Sequence, residues 1–127
     1  MPIRFLAAEH VVHMHDVLLE RFGGEEGGGH RGAANEGAEA AVQAVKNSYY
    51  DDPRELAAAY AVYIVQGHVF MDGNKRAARA AMLTFLAANG LEVAPSGREP
   101  RVLIELQERA ESGESTGSLV RWLAALL

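Results

Sequence analysis

Cysteine is absent from the 127 residues, so the chain can form neither a disulfide nor a thiolate metal site, and thiol catalysis is excluded. Positive charge is also scarce. Twelve Lys and Arg stand against seventeen Asp and Glu, a formal charge of −5, which argues against broad electrostatic attachment to nucleic acid or a membrane surface. Long apolar runs are missing as well: the longest, Leu56 to Val65, has ten residues, well short of the ~20 that span a bilayer. The opening MPIRFLAAEH has no signal-peptide core. A cytoplasmic protein with neither a membrane nor a direct nucleic-acid partner is expected.

What the chain does supply is apolar volume, 49% hydrophobic residues, enough for one domain with a core. No stretch alternates in the manner of a strand. Val11, Met14, Leu18 and Phe22 recur at helical spacing from about Ala7, and Gly23 and Gly24 stop the run. The glycine-rich stretch GGEEGGGHRG, residues 23–32, predicts a loop with room for a short strand-like flap, before a second helix near Asn35 to Ser48. Asp52 as N-cap, Pro53 at the first helical position and Glu55 in the first turn open a third helix to about Gln66.

AARAAMLTFLAANG is apolar on nearly every side until Gly90, a left-handed cap, and such a helix is expected at the centre of a bundle. Pro95 and Pro100 bracket a turn. Val102, Leu103 and Leu106 then suit a helix to about Glu111, and Leu119, Trp122, Leu123 and Leu126 suit a last one. The expectation is an all-α, compact single-domain bundle of about six helices over residues 1–127.

HVFMDGNKR, residues 68–76, puts an imidazole, a carboxylate, a glycine turn, a carboxamide and two cations at the entrance to that apolar helix. The first backbone N–H groups of a helix have no intrahelical partners and attract anions. Lys75 and Arg76 stand where the macrodipole prefers negative charge, a conflict that a bound phosphate resolves. Asn74 can donate to a phosphate oxygen, Arg76 can donate two parallel bonds, and Lys75 offers one compact charge. Asp72 is a hard oxygen ligand suited to magnesium, which needs only one or two carboxylates beside phosphates. His68 can take the proton of an attacking hydroxyl near neutral pH.

Singly, each residue has a plainer reading: Asp72 as an N-cap, His68 as a half-buried loop residue, Lys75, Arg76 and Arg79 as solvated charges. Jointly they place base, metal ligand, anion donor and cations at one helix entrance. Elsewhere the signals are weaker. His10 and His13 lie three apart with the Glu before them, whereas a zinc-protease helix needs H-E-x-x-H. Tyr60, Tyr63 and Ile64 read as core.

The nine-residue motif resembles the signature of the Fic superfamily, H-x-F-x-[D/E]-G-N-x-R, and is most similar to its death-on-curing (Doc) branch, which has Lys where AMP-transferring members have a second Gly. HDVLLERFGG (15–24) and FLAANG (85–90) extend the likeness. The resemblance implies an all-helical fold with the motif between two helices. By position it makes His68 the general base, Asp72 the Mg2+ ligand, and Asn74, Lys75 and Arg76 the holders of ATP phosphate, with Gly73 admitting the phosphates to the backbone.

In the Doc branch the terminal phosphoryl of ATP passes to a Ser or Thr of a translation factor, and a small antitoxin holds the toxin. Val69 departs from the usual Pro, and Gly73 from the Ala of the best-known Doc form. Arg79 completes the R-x-x-R of AMP-transferring members, as a second cation for phosphate. Phosphoryl transfer is the expected reaction; AMP transfer and a non-catalytic relative that binds an antitoxin or nucleotide are the alternatives. Glu36-Gly37 is the nearest match to the family's inhibitory helix, but Gly32 lies where its hydroxyl belongs, so a separate antitoxin is expected. His15 matches a position where Doc relatives often carry His, and the glycine-rich segment is either a plain loop or a flap that aligns a target peptide.

Overall fold

A computed structural model describes residues 2–22, 31–70 and 73–127. Among them the chain is all-α, with seven helices: α1 (Ala8–Phe22), α2 (Arg31–Lys46), α3 (Pro53–Gln66), α4 (Asn74–Ala88), α5 (Pro95–Arg98), α6 (Arg101–Glu111) and α7 (Thr116–Ala124). The seventh beyond the expected six is α5, a single turn between the two prolines. No described helix is long and apolar enough to cross a membrane.

Cap chemistry explains where the helices begin and end. Asp52 accepts from Arg54 N at 2.8 Å, and Pro53 follows at the first position of α3. At the far end of α4, Leu91 N donates to Leu86 O at 2.9 Å and Gly90 N to Ala87 O at 3.1 Å, with Gly90 at φ 75°. Those two bonds make a Schellman cap, which requires the left-handed residue that glycine supplies without strain. The second helix departs from expectation: α2 begins at Arg31, four residues before the expected Asn35, so residues 31–34 are helix and not loop. Alanines carry the turn there despite a cost of about 1 kcal/mol for each glycine. The expected flap otherwise falls on residues 23–30, outside the described residues.

The central helix is α3 rather than α4. Nine of its 14 residues are buried, against six of 15 in α4, and it packs on α2, α4, α6 and α7. Small residues at 57, 58, 59 and 61 let neighbours approach on every side. In α4, by contrast, Thr84, Ala87 and Ala88 face solvent; alanine is apolar yet small enough to be left exposed at little cost. Tyr60, fully buried on α3, leans on Phe85 with ring centroids 5.2 Å apart, and its hydroxyl accepts from Leu6 N at 2.9 Å. Burial pushes the Tyr60 phenol up from its ordinary value, against the pull of that backbone donor.

Between α6 and α7 a tight corner is held by Arg109. Its guanidinium donates to both carboxylate oxygens of Glu114, at 2.7 and 2.5 Å, and lies 4.4 Å from the centroid of the Trp122 ring. Arg109, and then the Ser118 hydroxyl, hold the Glu114 carboxyl below the usual glutamate range.

Candidate active site

The loop from Gly67 to Gly73 joins α3 to α4 and carries the motif. Gly67 N closes the end of α3 on Tyr63 O at 2.9 Å. His68 follows at φ 44°, the one non-glycine residue with positive φ among the described residues. Such a conformation costs an L-residue roughly 1–2 kcal/mol. It leaves His68 exposed while Val69 and Phe70, next along the chain, are buried at 7% and 4% exposure. Apolar side chains thus anchor the loop from below and present the imidazole to solvent.

Phe70 is fixed from two directions. The ring of His15, from α1, stacks flat on it with centroids 3.7 Å apart and planes 3° from parallel, and His15 is itself only 1% exposed. The Asn74 carboxamide clasps its peptide: Phe70 N donates to Oδ1 at 3.0 Å, and Nδ2 donates to Phe70 O at 2.8 Å. One of the two Nδ2 hydrogens is thereby committed to the loop, so any phosphate contact from Asn74 uses the other.

Gly73, at φ 78°, is the N-cap of α4, which has no side-chain cap and no acid in its first turn. A Cβ on Gly73 would lie 3.3 Å from His15 Nε2. Met71 and Asp72, the expected magnesium ligand among them, lie outside the described residues.

The cations divide by partner. Lys75 Nζ donates to Gln107 Oε1 on α6 at 2.9 Å, and Gln107 lines a cleft of about 280 Å³ together with His68, Val65, Gln66, Ala110 and Glu111. Arg76 is exposed on the first turn of α4. Arg79 turns away: its Nη2 donates to Arg98 O at the end of α5, at 2.8 Å, and its Nε is buried.

The structure therefore brings His68, Gly73, Asn74, Lys75 and Arg76 to the start of α4, with Arg79 one turn further on. His15 takes its place directly behind the loop, whereas His10 and His13 are exposed and apart from it. Sequence reading missed Gln107, a lone glutamine on an amphipathic helix 32 residues from Lys75, for which no local signal exists.

The candidate site is thus a helix start with no acid in its first turn, a left-handed glycine N-cap, a clasped loop and an outward histidine. The family model for the Fic/DOC family matches residues 5–86, and the chain belongs to that family. Among its relatives is the "Protein kinase doc" of Escherichia phage P1, 35% identical over 119 residues that cover 93% of this chain and 90% of that protein.

Proposed function

We propose that this protein is a Doc-like toxin that transfers the terminal phosphoryl of ATP to a Ser or Thr hydroxyl of a target protein, such as a translation factor, and is held in check by a separate antitoxin. The observation that carries the reading is the loop itself: His68 stands exposed in a strained conformation beside the glycine-capped, acid-free start of α4. That helix start, with Lys75 and Arg76 on its first turn, fits a phosphate load, because backbone N–H groups and cations there act on the same charge.

Magnesium held by the Asp72 carboxylate would supply shielding of phosphate charge. The chain's own residues do the rest. Asn74 keeps the loop closed, Gly73 lets oxygen approach the backbone, and Lys75 and Arg76 hold the phosphates. His68 takes the proton of the acceptor hydroxyl as its oxygen bonds to the terminal phosphorus, and ADP departs with the electrons of the broken bond. Electrostatic positioning of this kind is the largest part of phosphoryl-transfer catalysis.

Arg79 is the residue that favours AMP transfer by pattern. Its tie to Arg98 O and its buried Nε support the phosphoryl reading, as does the name of the phage relative. Incubation with cell extract and ATP labelled at the α or γ position tests this directly. γ-Label on protein, lost in His68→Ala, is expected; α-label on protein would support AMP transfer, and no label from either would refute both.

A further inference from the structure

We propose that Gln107, on α6, is a positioning residue that holds the Lys75 ammonium at the rim of the cleft with its charge undiminished, ready for a phosphate. The inference rests on the reading of the motif loop as a phosphate site, and it assigns a role to a helix outside the 5–86 stretch that the family model matches. Three side chains form a chain across the rim. Lys75 Nζ donates to Gln107 Oε1 at 2.9 Å, and Gln107 Nε2 donates to Glu111 Oε1 at 2.9 Å. Gln107, Glu111 and His68 line the same cleft.

The carboxamide can sit only one way round. Reversed, it would press its NH2 against an ammonium and its carbonyl against a carboxylate, so lysine and glutamate together fix its orientation. Its second property is neutrality. Were an acid at position 107, Lys75 would spend its charge on a salt bridge and offer less of it to a phosphate; were Gln107 missing, the flexible four-carbon stem would leave Lys75 without its described partner. The glutamine separates Lys75 from Glu111 by one amide, positioning the cation without neutralising it.

The chain has two lysines, Lys46 and Lys75, so lysine-labelled protein gives two ε-methylene signals in an NMR spectrum, and Lys46→Arg assigns them. In the ligand-free protein, Gln107→Glu and Gln107→Leu should each move the Lys75 signal and leave that of Lys46 in place. Triphosphate binding, with inorganic triphosphate as probe, should weaken roughly two- to fivefold in Gln107→Glu, the factor set by an exposed ion pair that must be given up. KM for ATP should rise by the same factor with kcat little changed, and the melting temperature should stay within about 2 °C, as for an exposed substitution.

A Lys75 signal indifferent to both substitutions would overturn the inference by itself, whatever the enzyme does. So would a moved signal with unchanged triphosphate binding. Failure of the underlying reading looks different: wild-type protein would then show no Lys75 response to triphosphate at all, while the two substitutions still shifted the ligand-free signal.

Discussion

Asn74 is where stability and chemistry meet, and removing its carboxamide has a magnitude that follows from the two bonds it makes. Asn74→Ala deletes both the acceptor for Phe70 N and the donor to Phe70 O. A neutral hydrogen bond contributes a net ~0.5–1.5 kcal/mol, so the pair is worth about 1–3 kcal/mol. For a chain of this length that lowers the melting temperature by roughly 4–11 °C.

The loss is local, because the loop is closed by this clasp, and a loss of about 1–3 kcal/mol should make the Phe70 amide exchange with solvent roughly five- to 150-fold faster. Asn74→Asp separates the two halves. It keeps an acceptor for Phe70 N, so that amide stays protected. It also sets a carboxylate oxygen against Phe70 O in place of the donor, which offsets the favourable anion at the first position of α4, so the melting temperature still falls. Phosphate affinity should drop too, since the new charge faces the ligand. Hydrogen exchange followed by NMR, with thermal melts on both variants, tests the whole chain of reasoning. Unchanged Phe70 exchange in Asn74→Ala, with a melt within 1 °C of wild type, would refute it.

Other expectations follow from neighbouring features. His68→Gly should be about 1 kcal/mol more stable than His68→Ala in urea melts, because glycine accepts φ 44° without strain, and neither variant should transfer label; equal stabilities would argue against the left-handed conformation. Tyr60→Phe keeps the ring but orphans Leu6 N, which should cost ~1–3 kcal/mol and deprotect the Leu6 amide. The Glu114 carboxyl titrates lower in the native state than in the unfolded chain, where ~4.3 is usual. Its contribution is therefore present above that unfolded value and lost as pH falls through the native one. Urea midpoints measured between pH 7 and pH 3 should fall more steeply for wild type than for Glu114→Gln, and parallel curves would count against the Arg109 pairing.

The fold was legible wherever termini carry their own chemistry. Asp52 and Pro53 marked the start of α3, and Gly90 the end of α4, because caps are local and use few residue types. Residues 31–34 were not legible: with Gly32 continuing a glycine-rich run and no apolar periodicity, nothing local separates loop from helix there. Nor could hydrophobicity alone rank α3 above α4 for burial, since alanine is equally at home in a core and on a surface.

At the site, the motif spacing named His68, Asn74, Lys75 and Arg76 because one loop and one helical turn bring them together. Partners were another matter. That Asn74 would face Phe70, Arg79 the carbonyl of Arg98, and Lys75 the amide of Gln107 depends on how α4 meets the rest of the bundle.

The far end of α4 repeats the clasp in a more perishable form. Arg4 N donates to Asn89 Oδ1 at 2.8 Å, and Asn89 Nδ2 donates to Arg4 O at 3.0 Å. Asn89 precedes Gly90, the pairing most prone to spontaneous deamidation, in which the glycine nitrogen attacks the side-chain carbonyl and expels ammonia to form a succinimide that water opens. In the folded chain that nitrogen is engaged with Ala87 O and the carboxamide is pinned on both sides, so the folded protein ages slowly at this bond. Each unfolding exposes it. Conversion to Asp or isoaspartate would set a carboxylate against the carbonyls of Arg4 and Phe85, release the amino-terminal segment, and make the next unfolding easier, a one-way chemical clock that runs fastest in molecules that have come apart.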